Sequence, residues 1–318
     1  MLEAMMSAET GDDVYGEDPT VNQLESLAAD MTGKPAALFV SSGTQGNLLA
    51  LLSHCARGDE YIAGQDAHTY RFEAGGAAVL GSIQPQPIPF NDQGELRLED
   101  IARSIKPDDS HFARTRLVCL ENTQSGKVLS MDYLAEFSQF IDERGLRKHL
   151  DGARVFNAAV KLQVPVSDIA RHFDTVSICL SKGLAAPVGS VLVGNESLIN
   201  DARRWRKMLG GGMRQAGILA AAGIYALNHH VDRLADDHAH ATLLADALSQ
   251  LTSFRLQSMP ETNMVHLDLT PEVLSELQGF LSDHGVRLSG PRLVMHADVA
   301  RDDVDRVIEL CREFDQGQ

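Results

Sequence analysis

The sequence has little cysteine: four in 318 residues, Cys55, Cys119, Cys179 and Cys311, and no C-x-x-C pair among them. That excludes a dithiol redox motif and fits a reducing compartment, where cysteine behaves as a small hydrophobe. It is also poor in positive charge. Lys and Arg number 28 against 44 Asp and Glu, a net charge of −16. This excludes sequence-independent binding to nucleic acid, which needs cations to displace phosphate counterions. It equally excludes docking on anionic lipid. A small anionic ligand stays open, because local cations can outweigh the net charge. Long apolar runs are missing too. The longest small and apolar stretch, Gly217 to Leu227, is too short to span a bilayer. The first thirteen residues have neither the basic region nor the apolar core of a signal peptide. The expectation is a cytoplasmic protein with no membrane or nucleic-acid partner.

What the chain does have is apolar content, 44% of its residues, at a length that supports a large domain and a smaller one. Up to about residue 200, short β-rich runs alternate with amphipathic helical ones. Strands are expected at 36–40, 116–121, 148–151, 175–180 and 187–193. Helices are expected from Ser42 through Cys55, over 131–144 and over 152–161. This alternation predicts an α/β fold, a mainly parallel sheet sandwiched by helices. Helices dominate over 196–251. Strands at 263–269 and 292–296 and helices at 271–284 and 302–314 then predict a small C-terminal α+β domain. The expected division is 1–234 and 235–318.

Ligands of open α/β sheets bind beyond the carboxyl ends of strands. Asp151 and Lys182 both follow short apolar strands. Lys182 follows Ser177-Ile178-Cys179-Leu180 and precedes Gly183. It either turns outward to water or is a lysine of the Schiff-base type. Asp151 either caps a helix or sets a carboxylate against a pyridine nitrogen, as pyridoxal phosphate chemistry requires. Ser42-Gly43-Thr44-Gln45 opens a helix after a strand, a place where backbone N–H groups bind phosphate. Together the three make a phosphate cup, a ring-nitrogen partner and a Schiff-base lysine.

These residues lie in a longer ordered set: GDDVYGEDP from Gly11 to Pro19, SGTQ at 42–45, Ala67-His68, FEAGG at 72–76 and His111-Phe112. LENT at 120–123, DGARVFN at 151–157, SICLSKG at 177–183, GGGMRQ at 210–215 and RLVMH at 292–296 complete it. The set resembles the low-specificity L-threonine aldolases, pyridoxal phosphate enzymes of the aspartate-aminotransferase fold (fold type I). The resemblance implies that Lys182 carries the cofactor and that Asp151 pairs with its ring nitrogen. It implies that Ser42, Gly43, Thr44 and Gln45 hold the phosphate. His68 stacks on the ring, and His111 reaches toward the substrate hydroxyl. Arg154 and Arg292 contact cofactor oxygen or substrate carboxylate. Tyr15, Lys207 and Arg214 lie near the site, some from a neighbouring subunit, with Arg214 also toward the cofactor. A homo-oligomer follows, commonly a dimer of dimers (a homotetramer), with a small amino acid as substrate.

The implied reaction is retro-aldol cleavage of threonine, allo-threonine and other β-hydroxy-α-amino acids to glycine and an aldehyde. His68, His111 or a water acts as the base. The alternatives are a β-eliminating lyase, a serine-type aldolase, or an inactive pyridoxal phosphate-binding homologue. Family members begin with an Asp-Leu-Arg-Ser-Asp-Thr stretch upstream of the point where this sequence starts. On that expectation contacts to the substrate carboxylate are lost and KM rises. The loop usually reading Glu-Asn-Thr-His-Asn is Glu121-Asn122-Thr123-Gln124-Ser125 here, and Ala185 and Gly46 replace the usual Gly and Ala. No metal is expected: Asp236 and His240 share a helix face, but on a charged surface without a shaped pocket. His149 and His296 read as satisfied core histidines, and Trp205 and Met208 as packing residues. Arg203, Arg204, Arg206 and Lys207 read as a solvated face or a phosphate sensor.

Overall fold

Residues 1–317 are described by a computed structural model. They separate into two units, one of residues 1–124 and 128–231, the other of 125–127 and 232 onward. The second unit therefore takes in Ser125–Lys127, which the alternation of strands and helices does not single out.

The first unit is built on seven strands: β1 (Ala36–Val40), β2 (Asp59–Gly64), β3 (Gln84–Ile88), β4 (Arg114–Glu121), β5 (Arg147–Asp151), β6 (Thr175–Cys179) and β7 (Ser190–Gly194). They are ordered β1-β7-β6-β5-β4-β2-β3. Only β7 runs antiparallel to its neighbours. β2, β6 and β7 are buried along their whole length, as strands covered on both faces must be. Two of the seven escape the sequence pattern. β2 opens on Asp59-Glu60, and β3 carries Pro85 and Pro87. Prolines donate no ladder hydrogen bond, and β3 accordingly lies at the sheet edge. Glu60 is fully buried, and its carboxylate accepts from Lys106 Nζ (3.2 Å) and Thr115 Oγ1 (3.0 Å).

The pairing registers put the functional ends side by side. Glu121 pairs with Asp151, and Asp151 with Ser177. Cys179 pairs with Ser190, and Ser190 with Val40. The ends of β1, β4, β5 and β6 thus share one edge of the sheet, and the turns after them converge there.

A buried ion pair anchors that edge. Arg206 donates to the carbonyl of Phe39 in β1 (2.6 Å) and to Asp13 Oδ2 (2.8 Å), with both side chains almost fully enclosed. Arg206 is thus a structural residue rather than a solvated or phosphate-sensing one. Arg203 pairs with Glu25 (2.8 Å). Trp205 packs against the core as expected, whereas Met208 is 71% exposed. Asp13→Ala leaves a guanidinium buried without its counter-charge, a loss of about 3–5 kcal/mol. Urea unfolding of Asp13→Ala beside the parent chain measures it, and a loss under about 1 kcal/mol contradicts the assignment.

The second unit holds β8 (Met264–His266) antiparallel to β9 (Arg292–Val294), with helices Leu234–Leu248, Pro271–Asp283 and Arg301–Gln316. Leu244, Val265, Leu277, Leu281, Ile308 and Phe314 form its core. His296 is exposed, a correction to the core reading: it follows β9 on a turn instead of continuing the strand. No helix among the described residues is long and apolar enough to cross a membrane.

Candidate active site

The turn after β1 is shaped by capping. Ser42 is the N-cap of the helix Gly43–His54, and its Oγ accepts from Gln45 N at 3.1 Å. The N–H groups of Gly43 and Thr44 have no partner among the described residues, and no acidic side chain occupies the first turn. Such an end carries partial positive charge and suits an anion. Gln45 turns back: its Oε1 accepts from Ser41 N (3.1 Å) and Ser41 Oγ (3.2 Å). Its amide nitrogen lies so close to Gly211 that a Cβ there would stand 1.9 Å away. Gln45 thus braces the turn with its side chain. Gly43 lets the helix rest on β6, since a Cβ at that position would approach Cys179 Sγ to 2.6 Å.

Asp151 ends β5 and is 3% exposed. Its Oδ1 accepts from Ala153 N (3.1 Å) and its Oδ2 from Asn47 Nδ2 (2.8 Å). Asp151 does not cap the next helix. That helix starts at Val155 with Arg154 as its N-cap, later than the expected Gly152, because Asp151–Ala153 form a turn closed by the Asp151 carboxylate.

Across from Asp151 stands His68. Its Nδ1 lies 2.9 Å from Glu73 Oε1, and its backbone N–H donates to Glu121 Oε2 at 2.9 Å. Ligand-type atoms of His68, Glu73 and Asp151 all lie within 4.8 Å of one another. The hydrogen bond to Glu73 raises the pKa of His68, with help from the charges of Asp151 and Glu73 and against burial and Lys182. Burial, with Asp151 adding, lifts Glu121 to about 7, against the bond from His68 and the charge of Lys182. Glu73 is raised chiefly by burial.

Lys182 is half-buried in the loop between β6 and β7. Its ammonium makes no hydrogen bond or ion pair among the described residues. It acts electrostatically on His68, Glu121 and Cys179.

One chain therefore gathers Ser42–Gln45, His68, Asp151 and Lys182 at one sheet edge. Of the other expected residues, Arg154 acts on Cys179 as Lys182 and Asp151 do, and the rest are exposed. His111 stands on a turn with its side chain 83% exposed and its Nδ1 2.6 Å from Asp109 Oδ1. Arg154 is half-buried and within electrostatic reach of Cys179. Arg214 pairs with Asp12 (2.5 Å) and sits 5.9 Å from the centre of the Tyr15 ring, which is 71% exposed. Lys207 is exposed, and Arg292 is exposed on β9 in the second unit.

The family model for beta-eliminating lyases matches residues 1–270. The chain is 53% identical to the low specificity L-threonine aldolase of Escherichia coli (strain K12), over 99% of this chain and 95% of that one. The chain belongs to the low-specificity L-threonine aldolase family. A probable low-specificity L-threonine aldolase 2 of Arabidopsis thaliana is 42% identical over 99% of this chain and 93% of its own. A solved threonine aldolase of Leishmania major superposes with a TM-score of 0.83 at 24% identity, covering 98% of this chain and 93% of that chain.

Three residues of this aldolase-family site carried no role in the sequence reading: Asn47, Glu73 and Glu121. Glu121 ends an apolar strand just as Asp151 does, and that signal could have found it. Asn47 and Glu73 give no comparable signal, since their partners are far away in sequence. The departure at Ala185 has a structural cost. Ala185 adopts φ +60°, a left-handed conformation that disfavours any Cβ. Ala185→Gly is therefore expected to raise stability by about 1 kcal/mol, less the greater chain entropy of glycine. Chemical denaturation tests this; a destabilised variant contradicts it.

Proposed function

We propose that the chain cleaves L-threonine, L-allo-threonine and related β-hydroxy-α-amino acids to glycine and an aldehyde, with pyridoxal phosphate held on Lys182. The observation that carries this reading is an unpaired lysine ammonium beside a buried aspartate and a bare helix N-terminus. The donor set fits the cofactor: an amine for its aldehyde, a carboxylate for its ring nitrogen and N–H groups for its phosphate.

Asp151 would face the ring nitrogen, and the Gly43 and Thr44 amides would hold the phosphate. When bound, pyridoxal phosphate supplies an electron sink for the pair released as the Cα–Cβ bond breaks. The protein's part is proton handling and orientation. Glu73 occupies Nδ1 of His68 and so leaves Nε2 to take the proton of the substrate β-hydroxyl. As that proton leaves, the hydroxyl oxygen becomes the carbonyl of the departing aldehyde. Cα then gains a proton, which balances the one taken from the hydroxyl once His68 gives it up again, and glycine is released. Arg154 serves the substrate carboxylate, since guanidinium matches it bidentately. Tyr15, Lys207 and Arg214 serve a neighbouring subunit's site in a homo-oligomer, a dimer of dimers. Their exposure in the single chain supports that reading.

Incubation with L-threonine and L-allo-threonine, scoring acetaldehyde and glycine in equal amounts, tests the function. Turnover of a β-chloro amino acid without cleavage of either substrate would overturn it in favour of β-elimination.

A further inference from the structure

Behind Asp151 runs a line of buried polar groups that the proposed reaction does not use. Asn47, His149 and Thr175 are each 1% exposed or less. Asn47 Nδ2 donates to two carboxylates, Asp151 Oδ2 and Glu73 Oε1, both at 2.8 Å. Its Oδ1 lies 3.1 Å from His149 Nε2. His149 Nδ1 lies 2.9 Å from Thr175 Oγ1, which lies 2.8 Å from His54 Nε2.

The direction of every bond in this line is forced. Ionised carboxylates only accept, so Asn47 must face them with its NH2 and turn its carbonyl to His149. His149 must then carry its proton on Nε2. Its Nδ1 is left to accept, so Thr175 donates to it. The hydroxyl, having spent its hydrogen, accepts from His54 Nε2–H. All donors therefore point toward Asp151 and Glu73. Burial keeps both imidazoles neutral, with His149 held down at about 3 and His54 at about 4. The line is thus a row of aligned dipoles whose positive ends meet the carboxylates. Bonds aligned in this way polarise one another.

We propose that Asn47 is a positioning residue of the reaction, backed by His149, Thr175 and His54, whose single amide fixes the Asp151 carboxylate and, through Glu73, the ring of His68. One NH2 group then sets both the partner of the ring nitrogen and the base. This rests on the reading that Asp151 faces the cofactor ring.

Asn47→Ala and the pair Thr175→Val and Thr175→Ser test it on the full-length protein. Three quantities are measured: the dissociation constant for pyridoxal phosphate, from the visible absorbance of the bound cofactor; kcat and KM for threonine; and the thermal midpoint. Removal of a group that orients a metal ligand typically costs about 10–100-fold, and the same scale is expected for one that orients these carboxylates. Asn47→Ala is expected to lose that much in cofactor affinity and in kcat, with KM little changed. Thr175→Val keeps shape but cuts the line, and should lower kcat and cofactor affinity in the same direction. Thr175→Ser keeps the hydroxyl and should restore both. If Asn47→Ala fails to fold, the Thr175 pair decides alone. Wild-type cofactor affinity and kcat in Thr175→Val, or equal losses in Thr175→Val and Thr175→Ser, would overturn the proposal. A parent chain that binds no pyridoxal phosphate would instead remove the reading of Asp151 beneath it.

Discussion

Lys182→Ala is expected to yield a folded protein that lacks the absorbance of the lysine-linked cofactor when mixed with pyridoxal phosphate and releases no measurable aldehyde from threonine. The ammonium of Lys182 makes no hydrogen bond or ion pair among the described residues, and the side chain is only half-buried. Its removal therefore breaks no bond of the fold, and the thermal midpoint should hardly move. The loss falls on function alone. Taking away a group that forms a covalent bond in the reaction costs a factor of about 10⁴ or more. A purified variant retaining even a few per cent of parental turnover would show that another group carries the cofactor.

The second large effect is expected at His68. His68→Asn should lower kcat by about 10²–10⁴-fold, the range for a positioned general base. KM should change much less. The pH profile gives a separate check. A base must be neutral to act, and the raised pKa of His68 keeps it protonated above the ordinary histidine value of 6.5. kcat/KM should therefore rise with pH along an acid limb that lies above 6.5. Glu73→Gln removes the hydrogen bond to a carboxylate that holds the proton, so the limb should move to lower pH. An unmoved limb in Glu73→Gln, or a larger loss in His111→Asn than in His68→Asn, would assign the base elsewhere.

The parts of the site that could be read from sequence share one property: each stands at a visible boundary. Asp151 and Lys182 interrupt apolar runs, and Ser42 caps a helix directly after a strand. Glu73 and Asn47 stand at no boundary. Asn47 lies inside the helix Gly43–His54, 104 residues from the carboxylate it holds. Its role appears only when β5 is laid beside that helix. β2 was hidden for the opposite reason, because it places Asp59 and Glu60 where a strand start should look apolar. Their burial is supported by Lys106, Thr115 and Arg116 from distant segments and by the Ala56 N–H close by. His149, by contrast, was readable as a satisfied core histidine, and both of its ring nitrogens are bonded.

The loop carrying Lys182 leaves and re-enters the sheet through neighbouring strands. Leu180 N donates to Gly189 O (3.0 Å), Ala186 N to Leu180 O (2.9 Å), and His230 Nδ1 to Leu184 O (2.6 Å). The lysine is thus aimed by the sheet and one histidine. His111, Tyr15, Lys207 and Arg214 are exposed and touch none of these bonds. Substitutions at those four positions should therefore leave the bearing of the lysine unchanged, whereas changes at Leu180, Gly189 or His230 would disturb it for every substrate alike.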